Sequence, residues 1–289
     1  MKVKLALAQI NTRLGVVEKN LETHLAQIEK AVGEGSDLVI FPELSLTGYV
    51  LQDLASAVAR KLSADDPVFK ELLSVSKNID IVAGFVEEDK RNRFYISSAY
   101  LSREKVVHVH RKVYLPTYGL FDEGRFFAWG DSTAAFDTRF GRAGILICED
   151  FWHISPPYLL WLDGADLFLF TSASPGRGLT TEPQLSTAYW VESINRAYAS
   201  IFTSFVVHCN RVGYEDGLHF WGGSTVFNPD GDLLAKAPQE KESLTFCEID
   251  LNELHRTRAR LPLLRDERTA LVQRELNRIL SRDGSASGR

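Results

Sequence analysis

Two short apolar runs, each entered through a Gly-x-Asp turn, constrain the fold of this chain more than any other feature. Residues 35–41 read GSDLVIF and residues 164–170 read GADLFLF, and each run follows a segment with helical periodicity. An uninterrupted apolar run of this length is typical of a strand that is buried on both faces. The repetition predicts two similar halves, each built from helix-then-strand units.

The other strand signals alternate with helical segments and include hairpins. Residues 94–101 and 105–110 are separated by a short polar turn, and NPDG at 228–231 is a strong turn signal. This mixture favours a layered α/β sandwich over an all-parallel sheet. No linker rich in Pro, Gly or Ser interrupts the middle of the chain, so we predict a single domain over residues 1–282. The Ser/Gly-rich end at 283–289 is predicted to be a disordered tail.

Composition and charge argue against several classes of function. Of the 289 residues, 45% are apolar and 25% are charged, and the net charge is −5, which disfavours nucleic acid or an anionic membrane as the main partner. No apolar run approaches the roughly 18–20 residues that cross a bilayer, and the N-terminal stretch is too polar for a signal peptide. The cysteines are Cys148, Cys209 and Cys247, a sparse set that suits a reducing compartment. We therefore expect a cytoplasmic protein.

Three predicted apolar strands each end next to a polar residue that could take part in catalysis. In chain order, these residues are Glu43, Lys112 and Cys148. Catalytic groups commonly lie where rigid strands meet loops. Each residue also has an ordinary structural explanation when it is taken alone. A cysteine in an apolar run is often a core residue, and a charged residue after a strand is often solvated.

Taken together, these residue types form a complete acyl-transfer set without histidine. A carboxylate takes the proton of the thiol, and an ammonium group stabilises the thiolate and then the oxyanion of a tetrahedral intermediate. The resulting carboxylic acid returns the proton to the leaving nitrogen of an amide. Water that the carboxylate activates then hydrolyses the thioester.

The words around all three residues resemble the motifs of the nitrilase superfamily, the carbon–nitrogen hydrolases. Residues 41–49 (FPELSLTGY) resemble its glutamate motif, 110–116 (HRKVYLP) its lysine motif and 148–152 (CEDFW) its cysteine motif. Their order and spacing match as well, and the resemblance extends at least to Ala235. Three ordered motifs are a far more specific signal than any one of them.

The resemblance implies a four-layer α-β-β-α sandwich whose subunits pair into a homodimer or a higher homo-oligomer. It also implies a second catalytic glutamate that positions substrate and supports the lysine, and residues 118–126 (YGLFDEGRF) match the stretch that carries it, with Glu123 in that role. The oxyanion hole would consist of the lysine and the backbone N–H of Glu149. Residues expected to contact substrate are Tyr49, Tyr118, Trp152 and Arg177, the last as a partner for a substrate carboxylate.

The substrate class stays open at this point. Members of the superfamily cut nitriles, primary amides, N-carbamoyl compounds or glutamine, and the nitrile is the least favoured here. Residues 118–123 and 148–152 resemble the glutaminase domain of glutamine-dependent NAD synthetase, yet no SGGxDS-type nucleotide motif follows. We therefore expect an amidase that cleaves a small non-peptide amide or N-carbamoyl bond. A glutaminase subunit that feeds a separate synthetase and a catalytically idle scaffold remain alternatives.

Neither a metal nor a cofactor is expected. His108 and His110 alternate on one strand, but no third ligand lies at a suitable spacing. The chain contains no GxxxxGK[ST] phosphate loop. Residues 210–213 (NRVG) and 220–224 (FWGGS) are expected either to shape the mouth of the substrate site or to form turns.

Overall fold

The computed structural model describes residues 1–177 and 185–286. Fourteen strands lie within these ranges: β1 (Lys2–Gln9), β2 (Leu38–Ile40), β3 (Asp80–Glu88), β4 (Phe94–Ser102), β5 (Lys105–Arg111), β6 (Phe136–Thr138), β7 (Gly141–Ile147), β8 (Leu167–Ser172), β9 (Phe205–Asn210), β10 (Val212–Glu215), β11 (Leu218–Trp221), β12 (Thr225–Phe227), β13 (Leu233–Lys236) and β14 (Ser243–Asp250). The helices in the same ranges are α1 (Val17–Gly33), α2 (Ala55–Val58), α3 (Pro67–Val75), α4 (Glu123–Phe126), α5 (Ser155–Leu162), α6 (Ser186–Ile201), α7 (Asn252–Arg260), α8 (Leu263–Asp266) and α9 (Thr269–Ala286).

Most strands belong to two six-stranded sheets of matching topology. The first has the order β14-β1-β2-β3-β4-β5 and the second the order β13-β12-β9-β8-β7-β6, while β10 and β11 form a separate hairpin. In each sheet three parallel strands, β1-β2-β3 or β7-β8-β9, are flanked by antiparallel ones. The repeated runs at 35–41 and 164–170 lead into β2 and β8, which hold equivalent positions in the two sheets.

Side-chain alternation along the central strands separates the layers. Leu167 and Leu169 of β8 face the core between the two sheets, and Phe168 and Phe170 face the core beneath α5 and α6. In the first sheet, alternate residues likewise face the inner core and a third core that includes side chains of α1 and α3. The order of layers is therefore helix, sheet, sheet, helix. The predicted α-β-β-α sandwich is confirmed.

The ends of the chain add two observations. No helix in the described ranges is long and apolar enough to cross a membrane. Helix α9 ends at Ala286, and residues 287–289 lie outside the described residues. The single domain over 1–282 and the disordered tail at 283–289 stay predictions.

Candidate active site

Glu43 lies on a loop that crosses directly over β3. The crossing requires glycine at position 84, because a Cβ there would lie 2.5 Å from both the backbone nitrogen of Leu44 and the carbonyl oxygen of Pro42. The Leu46 N–H donates to the Gly84 carbonyl at 3.0 Å and fixes the loop on the strand. Glu43 is only 1% exposed as a result. Its carboxylate therefore acts in a nearly water-free environment, where charges interact strongly.

Cys148 follows β7 directly and has strained backbone geometry. Its φ angle is +48°, in the left-handed region that costs an L-residue about 1–2 kcal/mol. Such strain persists where the surrounding structure enforces it, commonly at functional sites. Cys148 also begins a short 3₁₀ turn, Cys148–Trp152, directly after the strand. The turn presents the thiol at the end of the strand.

A buried ammonium group lies between two buried carboxylates. Lys112 Nζ is 2.7 Å from Glu43 Oε1 and 2.8 Å from both carboxylate oxygens of Glu123. Glu43 Oε2 accepts the backbone N–H of Ala173 at 2.8 Å, just after β8. The Tyr49 hydroxyl donates to Glu123 Oε1 at 2.6 Å. Both sheets therefore contribute to one network.

Burial and charge together set the protonation of these groups. Burial raises the pKa of Glu123 to about 7, against the opposing effect of the Lys112 ammonium. Burial alone would lower the pKa of Lys112, but Glu123 and Glu43 outweigh it and raise this pKa well above its usual value. Burial and the Glu43 carboxylate raise the pKa of the Cys148 thiol well above its usual range. The lysine is therefore charged, and the resting thiol is protonated.

Asp150 joins the lysine segment to the cysteine segment, a role that the motifs did not reveal. Its Oδ1 accepts the backbone N–H groups of Val113 and Tyr114, both at 2.9 Å. Its Oδ2 accepts the N–H of Ile147 at 3.0 Å and lies 2.8 Å from His110 Nε2. This fully buried carboxylate thus ties the end of β5 to the end of β7. The available signal was its place, and that of His110, within two of the three motifs.

The thiol opens into a small cavity of about 50 Å³. The residues that line it are Tyr118, Phe121, Cys148, Glu149, Trp152, Ser174, Pro175, Arg177 and Thr187. Typical ligand pockets measure about 300–1,000 Å³, so this cavity is small by comparison. Three of the four residues predicted to contact substrate, Tyr118, Trp152 and Arg177, lie at this cavity. Tyr49 instead contacts Glu123 through its hydroxyl.

The cavity contains side chains of opposite charge. The guanidinium of Arg177 lies 4.8 Å from the centre of the Phe121 ring, and its Nε is buried without a hydrogen-bond partner in the described part of the chain. The Tyr118 hydroxyl donates to both carboxylate oxygens of Glu149 at 3.0 Å. Residues 178–184, which continue the Arg177 segment, lie outside the described residues. Within residues 1–177 and 185–286, no three His, Cys, Asp or Glu side chains cluster as a metal site requires.

An α-β-β-α sandwich in which cysteine, lysine and two glutamates meet at strand ends has the architecture expected of nitrilase-like enzymes. The family model for carbon–nitrogen hydrolases matches residues 4–259, and the chain belongs to this family. The predicted family and the predicted enzyme class are thereby confirmed. That class comprises hydrolases of carbon–nitrogen bonds other than peptide bonds.

The individual proteins that resemble this chain include both longer proteins and proteins of about its own length. The glutamine-dependent NAD(+) synthetase of Acinetobacter baylyi is 32% identical over 250 residues, which cover 86% of this chain and 44% of that protein. Omega-amidase NIT2 of Bos taurus is 28% identical over 281 residues, which cover 94% and 97%. The crystal structure of a carbon–nitrogen hydrolase from Helicobacter pylori G27 has a TM-score of 0.86 at 23% identity and covers 96% and 99%. The chain thus spans under half the length of the synthetase.

Proposed function

We propose that the chain is an amidase that hydrolyses a terminal carboxamide or N-carbamoyl group of a small molecule carrying a carboxylate, and releases ammonia. The observation that carries this proposal is the buried Lys112 ammonium between Glu43 and Glu123. An ammonium and two carboxylates are costly to bury, and perturbed groups of this kind cluster at functional sites. Their position next to the strained Cys148 supports an acyl-transfer reaction.

In the proposed reaction, the same groups act first in forming the thioester and then in hydrolysing it. Cys148 Sγ attacks the amide carbon while Glu43 takes its proton, because the thiol is protonated at rest. Lys112 and the backbone N–H of Glu149 stabilise the oxyanion. Glu43 then gives its proton to the nitrogen, the carbon–nitrogen bond breaks, and ammonia leaves a thioester behind. Water that Glu43 deprotonates attacks the acyl group, and Glu43 returns the proton to the departing sulfur and so restores the thiol. The product is a carboxylic acid or, from an N-carbamoyl substrate, a carbamic acid that loses CO2.

In this scheme Glu123 holds the lysine rather than touching the substrate. Both of its oxygens lie 2.8 Å from Lys112 Nζ, and Tyr49 donates to one of them. Glu123 thereby fixes the position of the ammonium throughout the reaction. A fixed charge stabilises a transition state without the cost of reorganisation.

Arg177 is proposed to bind the substrate carboxylate. We expect Arg177→Ala to raise KM for an acidic amide about ten- to hundredfold, because a charge-assisted hydrogen bond contributes roughly 1.5–3 kcal/mol. Its buried Nε, unpaired in the described ranges, supports this role. The measurement is the rate of ammonia release against substrate concentration.

An uncharged aliphatic amide is the matched control for this variant. Its KM should change little in Arg177→Ala, whereas a general loss of the cavity would affect both substrates. Arg177→Lys should recover only part of the affinity, since lysine lacks the bidentate fork. If KM for the acidic amide is the same in the parent and in Arg177→Ala, Arg177 does not bind the substrate carboxylate.

Glutamine is the second candidate substrate, and the charge pair in the cavity favours it. Arg177 and Glu149 both line the cavity over Cys148, so a carboxylate and an ammonium group on one substrate would each meet an opposite charge. The likeness to a glutamine-dependent synthetase supports the same substrate. In this version the ammonia would pass to a synthetase.

The test is a panel of amides that includes glutamine, N-carbamoyl amino acids, N-carbamoyl polyamines and short aliphatic amides, with released ammonia as the readout. Turnover of one class would name the substrate class. Stimulation of glutamine turnover by an added synthetase would favour the second candidate. No ammonia from any member, together with an unreactive Cys148, would favour an idle scaffold and contradict the proposal.

Two further proposals concern the state of the protein. We propose a homodimer or a higher homo-oligomer, because α5 and α6 on the outer face of the second sheet leave Leu159, Trp190 and Ile201 about half exposed. Light scattering coupled to size-exclusion chromatography would determine the mass, and a monomer at micromolar concentration would contradict this.

We also propose a cytoplasmic location, since all three cysteines are free thiols.

A further inference from the structure

A buried ion pair joins Arg211, which directly precedes β10, to Glu215, the last residue of β10. The proposed reaction does not use it. Arg211 Nη1 is 2.6 Å from Glu215 Oε2, and the two residues are 0% and 6% exposed. The sequence favoured either the substrate mouth or a turn for residues 210–213, yet Arg211 points into the interior. A buried ion pair is seldom more stabilising than apolar side chains of similar size. Its presence therefore suggests a positional role.

The carboxylate of this pair holds the loop that carries Tyr49. Glu215 Oε1 accepts the backbone N–H groups of Tyr49 and Val50, each at 2.7 Å. The preceding Gly48 has a φ angle of +84°, and a Cβ at this position would lie 2.7 Å from Glu215 Oε2. The loop is thus fitted closely to the carboxylate. Two partly buried N–H groups would lose their acceptor without it.

Tyr49 carries this contact onward to the candidate active site. Its hydroxyl donates to Glu123 Oε1 at 2.6 Å, and the same oxygen lies 2.8 Å from Lys112 Nζ. Phe220 of β11 packs edge-on against the Tyr49 ring at 5.9 Å and beneath the Arg211 guanidinium at 4.5 Å. Tyr49 is therefore held at its backbone and packed against Phe220 at its ring.

We propose that Glu215, paired with Arg211, is a positioning residue that acts through Tyr49. It fixes the loop so that the Tyr49 hydroxyl reaches Glu123, and Glu123 in turn holds Lys112. This inference rests on the proposed roles of Glu123 and Lys112. Neither Glu215 nor Arg211 touches the cavity over Cys148.

The inference predicts a specific effect on pH dependence. Glu123 faces Lys112, Glu43, Tyr49 and the thiol of Cys148. The hydrogen bond from Tyr49 favours the ionised form of Glu123 and so holds down a pKa of about 7. Displacing Tyr49 should therefore move the transition near neutral pH upward by about half to one pH unit, the size expected for one lost hydrogen bond.

Two matched double variants isolate the acceptor from the charge pair. Glu215→Ala alone would leave Arg211 buried without a counter-ion, so both variants also carry Arg211→Met. The variant with Glu215→Gln keeps an oxygen for the loop and should retain a transition close to that of the parent. The variant with Glu215→Ala lacks the oxygen and should show the upward shift, with a three- to tenfold loss of kcat and little change in KM.

A cycle with Tyr49→Phe tests the route of the effect. Tyr49→Phe should itself shift the transition upward, and the change to Ala at position 215 should add no further shift in that background. Additive shifts, or no shift with Glu215→Ala, would overturn the proposal. If the Ala variant fails to fold, Glu215→Leu combined with Arg211→Met fills more of the volume without supplying an oxygen, so it should show the same upward shift, and its absence would count equally against the proposal.

The same transition should be followed through alkylation of Cys148 by iodoacetamide across pH 5–9. This readout needs no substrate, so it separates the two proposals. A shifted alkylation profile in a protein that turns over no amide would support the positioning role and contradict the amidase. An unshifted alkylation profile in an active enzyme would contradict the positioning role and leave the amidase supported.

Discussion

Cys148→Ala is expected to lower ammonia release by about four to six orders of magnitude, because it removes the atom that forms the thioester. The fold should persist. Alanine retains a Cβ, so the strained φ angle of +48° is present in both proteins, and the lost sulfur atom lies at the edge of the core where it also lines the cavity. The measurement is kcat/KM on the substrate that the amide panel identifies, with thermal unfolding recorded in parallel.

The chain offers a matched control in Cys247→Ala on β14. This cysteine is 8% exposed, close to the 7% of Cys148, yet it packs in the core between the two sheets. Activity should stay within about twofold, since core truncations act mainly on stability. Ammonia release that survives Cys148→Ala would assign the chemistry to another group and end the thioester mechanism.

Alkylation gives a second readout of the same residue. Iodoacetamide should modify Cys148 first, because it alone of the three cysteines lines the cavity in the described structure. Burial raises the pKa of all three thiols, so access to the cavity and the neighbouring Glu43, rather than the pKa, should set Cys148 apart from Cys209 and Cys247. Glu43→Gln should slow the alkylation of Cys148 if Glu43 is its base. Equal reactivity of all three thiols would contradict an activated nucleophile.

The sequence predicted the sheets well because their signals are local. The runs at 35–41 and 164–170 owe their pattern to burial on both faces, and β2 and β8 indeed have no solvent-facing side. The order of Glu43, Lys112 and Cys148 came from motifs, and the structure brings the first two within 2.7 Å. Periodicity therefore sufficed for the buried strands and the family resemblance for the four layers, while the motifs pointed to the three residues proposed as nucleophile, base and cation.

What the sequence did not reveal depends on contacts between distant segments. Tyr49 meets Glu123 across 74 residues and Glu215 across 166, so no local pattern distinguished its role from substrate contact. Asp150 accepts four hydrogen bonds only because β5 and β7 end side by side. The positive φ angle of Cys148 is likewise imposed by its surroundings. Such features follow from the assembled fold and not from residue type.

Lys112→Met is expected to be the most damaging single change to both stability and activity. Methionine fills a similar volume, but the change leaves two buried carboxyl groups without their shared cation. Removing one partner of a buried ion pair costs about 3–5 kcal/mol. Ammonia release should fall below detection, because the oxyanion also loses its ammonium. The measurement is the free energy of unfolding by denaturant, together with the amide assay.

The pH dependence of this loss has a definite sign. Burial already raises the pKa of Glu123 from 4.5 to about 7 with the lysine present, so its contribution to stability is complete below pH 4.5 and is lost as the pH rises through 7. Without the ammonium, the ionised form of this carboxyl is disfavoured further. The variant should therefore lie closest to the parent near pH 4.5 and fall furthest below it near pH 8.

A charge-neutral triple variant separates stability from chemistry. Lys112→Met combined with Glu43→Gln and Glu123→Gln leaves no uncompensated charge, so it should recover much of the lost stability and lose the pH dependence. It should remain inactive, because base and cation are both absent. A single Lys112→Met variant that is as stable as the parent at pH 8 would mean that the carboxylates do not need this cation. Another cation would then have to compensate the two carboxylates.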